Sequence, residues 1–158
     1  MDVLAEQLEH SDEQRGLLNM EIIANALQTV PANQNVYFTD TVVSGNCTML
    51  HRDDSGLVTL KGVTNQCRAR FKVSFGANVA ISAGGTVEPI SLAIGINGEP
   101  VNGTTMTVTP AAAEEFFNVF SAVYVDVPRN CCTTISVRNI SNGSIDVQNA
   151  NLIVERLA

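Results

Sequence analysis

Large apolar side chains alternate with small or polar ones in short runs from residue 36 onward, and Asn-Gly pairs follow several of these runs. The clearest run is PISLAIGINGEP at residues 89–100, in which Asn97-Gly98 follows four alternating apolar residues, Ile90, Leu92, Ile94 and Ile96. A period of two is that of a β-strand with one buried face, and Asn-Gly is a strong signal for a two-residue hairpin. Closely spaced short strands predict an antiparallel sandwich or barrel over residues 36–158.

The first 30 residues carry a different pattern, which predicts an N-terminal helical arm. Ser11 and Gln14 have the spacing of a capping box, Pro31 ends the element, and residues 31–35 form a linker. The candidate partner-binding residues of the arm are apolar: Leu4, Leu8, Leu17, Leu18, Ile22 and Leu27. The expected domains are therefore a helical arm at 1–30, a linker at 31–35 and a β-domain at 36–158.

Two of the predicted strands, Phe117–Val127 and Ala150–Leu157, carry apolar residues on both faces, which predicts burial on both sides. On the side away from the expected core they place the candidate subunit interface: Phe120, Ala122, Tyr124, Ile153 and Leu157. No second layer of helices is predicted in this chain, so we expect another copy of the chain to cover that face. The small residues of the 89–100 strand, Ser91, Ala93 and Gly95, similarly favour close approach by a neighbouring subunit or the arm.

Composition and charge narrow the range of partners. Charged residues make up 16% of the chain, against about 25% in typical soluble domains, which favours a surface hidden in an oligomer. The formal net charge is −7 and no basic stripe occurs, so phosphate-driven nucleic-acid binding is not expected. No run approaches the roughly 20 apolar residues of a membrane span, and no secretory signal opens the sequence.

Residue types that carry catalysis are sparse and poorly grouped. Neither His10 nor His51 lies near a cysteine in the sequence, and no C-x-x-C pair occurs, so no zinc site, cofactor or catalytic residue is predicted. The segment His51-Arg52-Asp53-Asp54 offers ligands for a metal, but its composition favours a turn. The cysteines are expected to be reduced, partly buried thiols: Cys47, Cys67, Cys131 and Cys132.

Two segments in order, ISLAIGINGEPVNGTT and VYVDVPRNCCTTISVRNISNGSIDVQNANLIVERL, resemble TNF/C1q-like jelly-roll domains. Such domains occur in phage virion proteins, including capsid-attached ones, and in collagen-like spore-coat glycoproteins of Firmicutes. The resemblance spans roughly residues 34–158. It implies a ten-strand antiparallel jelly roll that assembles as a homotrimer, with apolar and aromatic residues of the late strands along the threefold axis. This chain lacks the collagen-like stalk of the spore-coat proteins and has the N-terminal arm instead.

These features together predict a non-enzymatic structural virion protein of a tailed phage, assembled in the host bacterial cytoplasm. It would be a capsid-attached decoration or head-fibre trimer, anchored to the major capsid protein or another virion protein through its N-terminal arm. The alternative is a receptor-binding or adhesin jelly-roll module on a phage tail or on a bacterial or spore surface.

Overall fold

The computed structural model describes residues 18–158, which form two six-stranded antiparallel sheets. Sheet A contains β1 (Asn19–Ala24), β2 (Gln28–Val30), β3 (Asp40–Val43), β6 (Arg68–Ile81), β10 (Phe117–Pro128) and β12 (Ile145–Arg156). Sheet B contains β4 (Met49–His51), β5 (Val58–Lys61), β7 (Ile90–Ile96), β8 (Glu99–Pro100), β9 (Met106–Val108) and β11 (Cys132–Asn139). One 3₁₀ turn, Asn102–Thr104, connects β8 to β9. The predicted mainly β, antiparallel architecture is confirmed.

Alternation along the strands builds the core between the two sheets. In β6, Ala69, Phe71, Val73 and Phe75 are fully buried, as their period-two spacing predicts, because successive side chains of a strand point to opposite faces. Phe75 meets Phe38 edge to face, with ring centroids 6.3 Å apart, a favoured aromatic geometry.

The prediction of a helical arm is wrong for residues 18–30, which contain β1 and β2. Strand β1 lies between β12 and β3 in sheet A, with Ile22 opposite Leu152. Met20, Ile22 and Ala24 alternate into the core, so this segment has the period of a strand, and pairing with β12 satisfies its backbone. Sheet A therefore includes residues assigned to the arm. The predicted capping box at Ser11–Gln14 lies outside the described residues.

The strand count also differs from the ten that the resemblance implies, because short strands bring it to twelve within residues 18–158. The longest strand of the described residues is β6, with 14 residues. Within β6, Gly76 lies opposite Phe120 of β10 on one side and Asn151 of β12 on the other. Pairing on both sides holds the glycine in the strand. Within residues 18–158 no helix is long and apolar enough to cross a membrane.

The small-residue face of β7 is closed by the chain itself. Ala93 and Gly95 are both buried, and a Cβ placed on Gly95 would lie 2.9 Å from Oγ of Ser136 on β11. Arg138, opposite Ala93 in the register, donates a hydrogen bond to the Gly98 carbonyl at 3.1 Å. The single chain therefore already buries Ala93 and Gly95, and approach by a neighbouring subunit or the arm stays a prediction.

Candidate functional site

The outer face of sheet A, which is turned away from sheet B, carries apolar side chains in register across its strands. One row runs from Phe120 on β10 through Gly76 and Asn151 to Ile23 on β1. The next row contains Ala122, Ser74, Ile153, Glu21 and Val43, in that order. These two rows place apolar side chains from four strands on one surface, with Asn151, Ser74 and Glu21 between them. We call this surface the outer face.

Two aromatic side chains dominate the outer face at its β10 edge. Phe120 is 66% exposed and Tyr124 is 65% exposed, although both belong to a regular strand in the sheet. Phe120 lies over Gly76, where its Cδ2 atom is 3.7 Å from the position of a Cβ. Exposure of two large rings on one strand leaves apolar area in water that a partner surface could bury, at about 25 cal/mol per Å² of apolar area.

The structure places the residues predicted for the subunit interface together on this face. Phe120, Ala122 and Tyr124 occupy alternate positions of β10, and Ile153 lies in the same row as Ala122. Leu157, just beyond β12, is exposed and bonds through its backbone to Arg70 beside it. Their burial between subunits stays a prediction.

Sequence reasoning missed the apolar residues that β1 and β3 add to the outer face. Ile23 is half-buried and Val43 is exposed, and both lie at the opposite side of the sheet from Phe120. The signal for Ile23 was present in the alternation of residues 20–24, but the helical interpretation of the segment concealed it.

Charged side chains border the aromatic pair. Asp126 accepts hydrogen bonds from Nε and Nη2 of Arg70 at 2.7 and 3.0 Å, and Arg68 Nε lies 3.3 Å from the same carboxylate. The hydrogen bond from Arg70 holds the pKa of Asp126 below its ordinary value, and the same bond raises the pKa of Arg70. An apolar centre with a charged border is the usual anatomy of a protein–protein interface.

The candidate partner-binding residues of the arm do not form one surface in the described part of the chain. Ile22 is fully buried in the core, so it cannot contact a partner, because its side chain points between the two sheets. Leu18 is half-buried and Leu27 is exposed in the connection between β1 and β2. Leu4, Leu8 and Leu17 lie outside the described residues.

Groups that could perform chemistry remain dispersed. Within residues 18–158, no three histidine, cysteine or acidic side chains are grouped so as to hold a metal ion. All four cysteines are free and exposed, so the expectation of partly buried thiols is wrong. The cysteines lie in connections and at strand ends, where alternation imposes no burial.

The fold defined by these two sheets is a TNF/C1q-like jelly roll, and the predicted fold resemblance is confirmed. The chain is similar to the "Globular Domain of Zebrafish Complement 1qA protein", with a TM-score of 0.60, 11% identity and coverage of 88% of this chain and 94% of that chain. It is also similar to murine APRIL, in a crystal structure at pH 5.0, with a TM-score of 0.60, 9% identity and coverage of 87% and 98%.

A third similar structure is Eiger TNF from S. frugiperda, with a TM-score of 0.62, 15% identity and coverage of 89% of this chain and 92% of that chain. No protein-family model matches the sequence, and no curated protein matches it. At these identities the structural likeness shows the fold alone.

Proposed function

We propose that this protein is a non-enzymatic structural protein that assembles as a homotrimer through the outer face of sheet A. The observation that carries the proposal is the exposure of Phe120 and Tyr124 on a regular sheet, on either side of the row that contains Ala122 and Ile153. Burying one large apolar side chain contributes about 1.5–3 kcal/mol, and the outer face presents several. A second copy of the same chain offers the same apolar side chains and the same charged border.

Substituting Phe120 tests the assembly. The protein should sediment as three chains of 16.9 kDa, and Phe120→Asp should dissociate it, because a carboxylate buried in an apolar contact costs about 3 kcal/mol, or roughly a hundredfold in association. Val63, which is 59% exposed outside the outer face, supplies the matched control Val63→Asp. Analytical ultracentrifugation at micromolar concentration measures both. A monomeric natural protein, or a Phe120→Asp variant that assembles normally, would contradict the proposal.

We further propose that the trimer is a structural part of a tailed-phage virion, as a capsid-attached decoration or head fibre. The sequence resemblance to virion jelly rolls supports this role. Residues 1–17 support an attachment role, because they contain five acidic residues and one basic residue, Arg15, beside apolar residues such as Leu4 and Leu8. Such a segment suits a basic, partly apolar surface on the major capsid protein or another virion protein.

Particle binding tests this role. Mass spectrometry should detect the chain in virions purified from the phage that encodes it. When the purified protein is added to particles that lack it, it should co-sediment with them. Deletion of residues 1–17 should abolish co-sedimentation while the trimer persists in ultracentrifugation. Absence of the chain from purified particles would overturn the virion role, whereas binding that survives the deletion would overturn only the attachment through residues 1–17.

A further inference from the structure

A buried imidazole at the end of β4 has a ring nitrogen without a partner. The His51 side chain is only 1% exposed, and it packs against the edge of Phe38, with ring centroids 6.4 Å apart. Its Nδ1 atom is the one buried side-chain nitrogen or oxygen within residues 18–158 that has no hydrogen-bond partner. Buried polar atoms are normally satisfied, so this atom requires an explanation.

The other ring nitrogen fixes the tautomer of His51. Nε2 lies 3.1 Å from the carbonyl oxygen of Ser55, and a carbonyl oxygen can only accept a hydrogen bond. Nε2 therefore carries the ring proton, and in the neutral ring Nδ1 presents a lone pair. Histidines that bind metals usually donate their other ring N–H to a carbonyl or carboxylate in this way.

A second acceptor lies near Nδ1. Oδ1 of Asp53 lies 3.9 Å from Nδ1, and the same oxygen accepts a hydrogen bond from Thr41 Oγ1 at 3.2 Å. The Asp53 side chain is 64% exposed, and His51, Asp53 and Thr41 line one open depression together with Cys47. A cation or a hydrogen-bond donor placed between these two acceptors would satisfy both of them.

We propose that His51 Nδ1 and Asp53 Oδ1 form the protein half of a binding site for a borderline divalent cation such as Zn²⁺. Zinc binds imidazole nitrogen and carboxylate oxygen at about 2.0–2.2 Å, and tetrahedral ligands at those lengths lie roughly 3.4 Å apart. A small rotation of the exposed Asp53 side chain closes the difference. Since no group of three such ligands occurs in the described residues, water from the depression completes the coordination.

The test follows the His51 ring during a Zn²⁺ titration of the metal-stripped, untagged full chain. The chain has two histidines, so a His10→Gln variant assigns the His51 signals in a long-range ¹H–¹⁵N spectrum. Zn²⁺ should shift Nδ1 and leave the Nε2–H signal in place. Asp53→Asn should weaken Zn²⁺ binding at His51 about tenfold or more, while the metal-free variant stays folded, since its amide can donate to Nδ1.

Asp54→Asn is the matched control, because Asp54 is a neighbouring exposed aspartate with a positive φ of 67°, a conformation that asparagine tolerates. This variant should bind Zn²⁺ as the natural protein does. Both variants keep all four cysteines, so binding to thiols affects them equally. An Nδ1 signal that Zn²⁺ leaves unchanged, an Nδ1 already protonated at neutral pH, or binding that survives Asp53→Asn would each overturn the proposal.

Discussion

At the residue scale, Asp126 joins two arginines at one end of the outer face. The bidentate contact with Arg70 is well aligned, and Arg68 adds a second positive charge. All three side chains are exposed, so water and salt screen the interaction in the single chain. The low pKa of Asp126 arises first from the Arg70 hydrogen bond, and burial of this border in an assembly would remove part of the screening.

The pH dependence of stability tests that contact. Because the pKa of Asp126 is lower in the folded chain, its stabilising contribution is present above the unfolded value of about 3.9. That contribution is lost as the pH falls through the folded-state pKa. The free energy of unfolding of Asp126→Asn should therefore lie slightly below that of the natural protein at pH 5–7, and the two values should converge at lower pH. A difference that grows on acidification would contradict this cause.

Single residues of the candidate site were predictable where one strand carries the signal. Phe120 and Tyr124 could be found because aromatic side chains on the second face of an apolar strand are unusual on a wet surface. Ile23 and Val43 join them only through pairing of β1 with β12 and β3. The pairing of β1 with β12 spans more than a hundred residues, and long-range pairing of this kind leaves no local mark in the sequence.

At the element scale, the connection between β5 and β6 is locked to the turn between β10 and β11. Gly62 donates its N–H to the Cys131 carbonyl at 2.8 Å and accepts from the Asn130 N–H at 3.0 Å. A Cβ at Gly62 would overlap the Pro128 carbonyl oxygen and lie 3.2 Å from that of Val127. Close contact between two backbones therefore requires glycine here, and it ties an end of sheet A to sheet B.

Replacing Gly62 should push the β5–β6 connection away from the turn between β10 and β11. We expect Gly62→Ala to lower the free energy of unfolding by about 3 kcal/mol, because the overlap can be relieved only by backbone movement. Gly103→Ala is the control, since a Cβ there meets nothing within 4 Å, and its effect should stay within about 0.5 kcal/mol. Urea denaturation followed by circular dichroism measures both variants. If Gly62→Ala and Gly103→Ala have equal free energies of unfolding, the backbone at Gly62 can move to accept a Cβ and the explanation is wrong.

The element that sequence reasoning misassigned is β1, and the cause is physical. Leu18, Ile22 and Leu27 approximate a helical stripe, whereas Met20, Ile22 and Ala24 fit a strand, so the local pattern supports both structures. Tertiary pairing decides between them, because β12 and β3 satisfy the backbone of β1 from both sides.

At the scale of the whole molecule, the antiparallel β architecture was predictable because alternation and turn residues recur along residues 36–158. Asn97 and Gly98 both adopt positive φ in the turn between β7 and β8, as their hairpin signal requires. The division into two sheets was not predictable from spacing, because consecutive strands change sheets several times. The segment that contains His51 and Asp53 was visible in the sequence, but the burial of the His51 side chain and the contact of Thr41 with Asp53 were not.

The antiparallel pairing of β1 with β12 has a mechanical consequence. Leu18 bonds to the backbone of Arg156, and Asn19 lies opposite Glu155, so the chain enters and leaves sheet A at the same end. Tension applied between residue 18 and residue 157 would load this ladder one hydrogen bond at a time, from Arg156 inward, and would peel β1 away at low force. A load carried by the broad faces of the sheets would instead be shared among many bonds at once. If the protein is tethered in a particle through residues 1–17, we therefore expect it to resist force better when the force acts on the faces of its sheets than when it acts between residues 18 and 157.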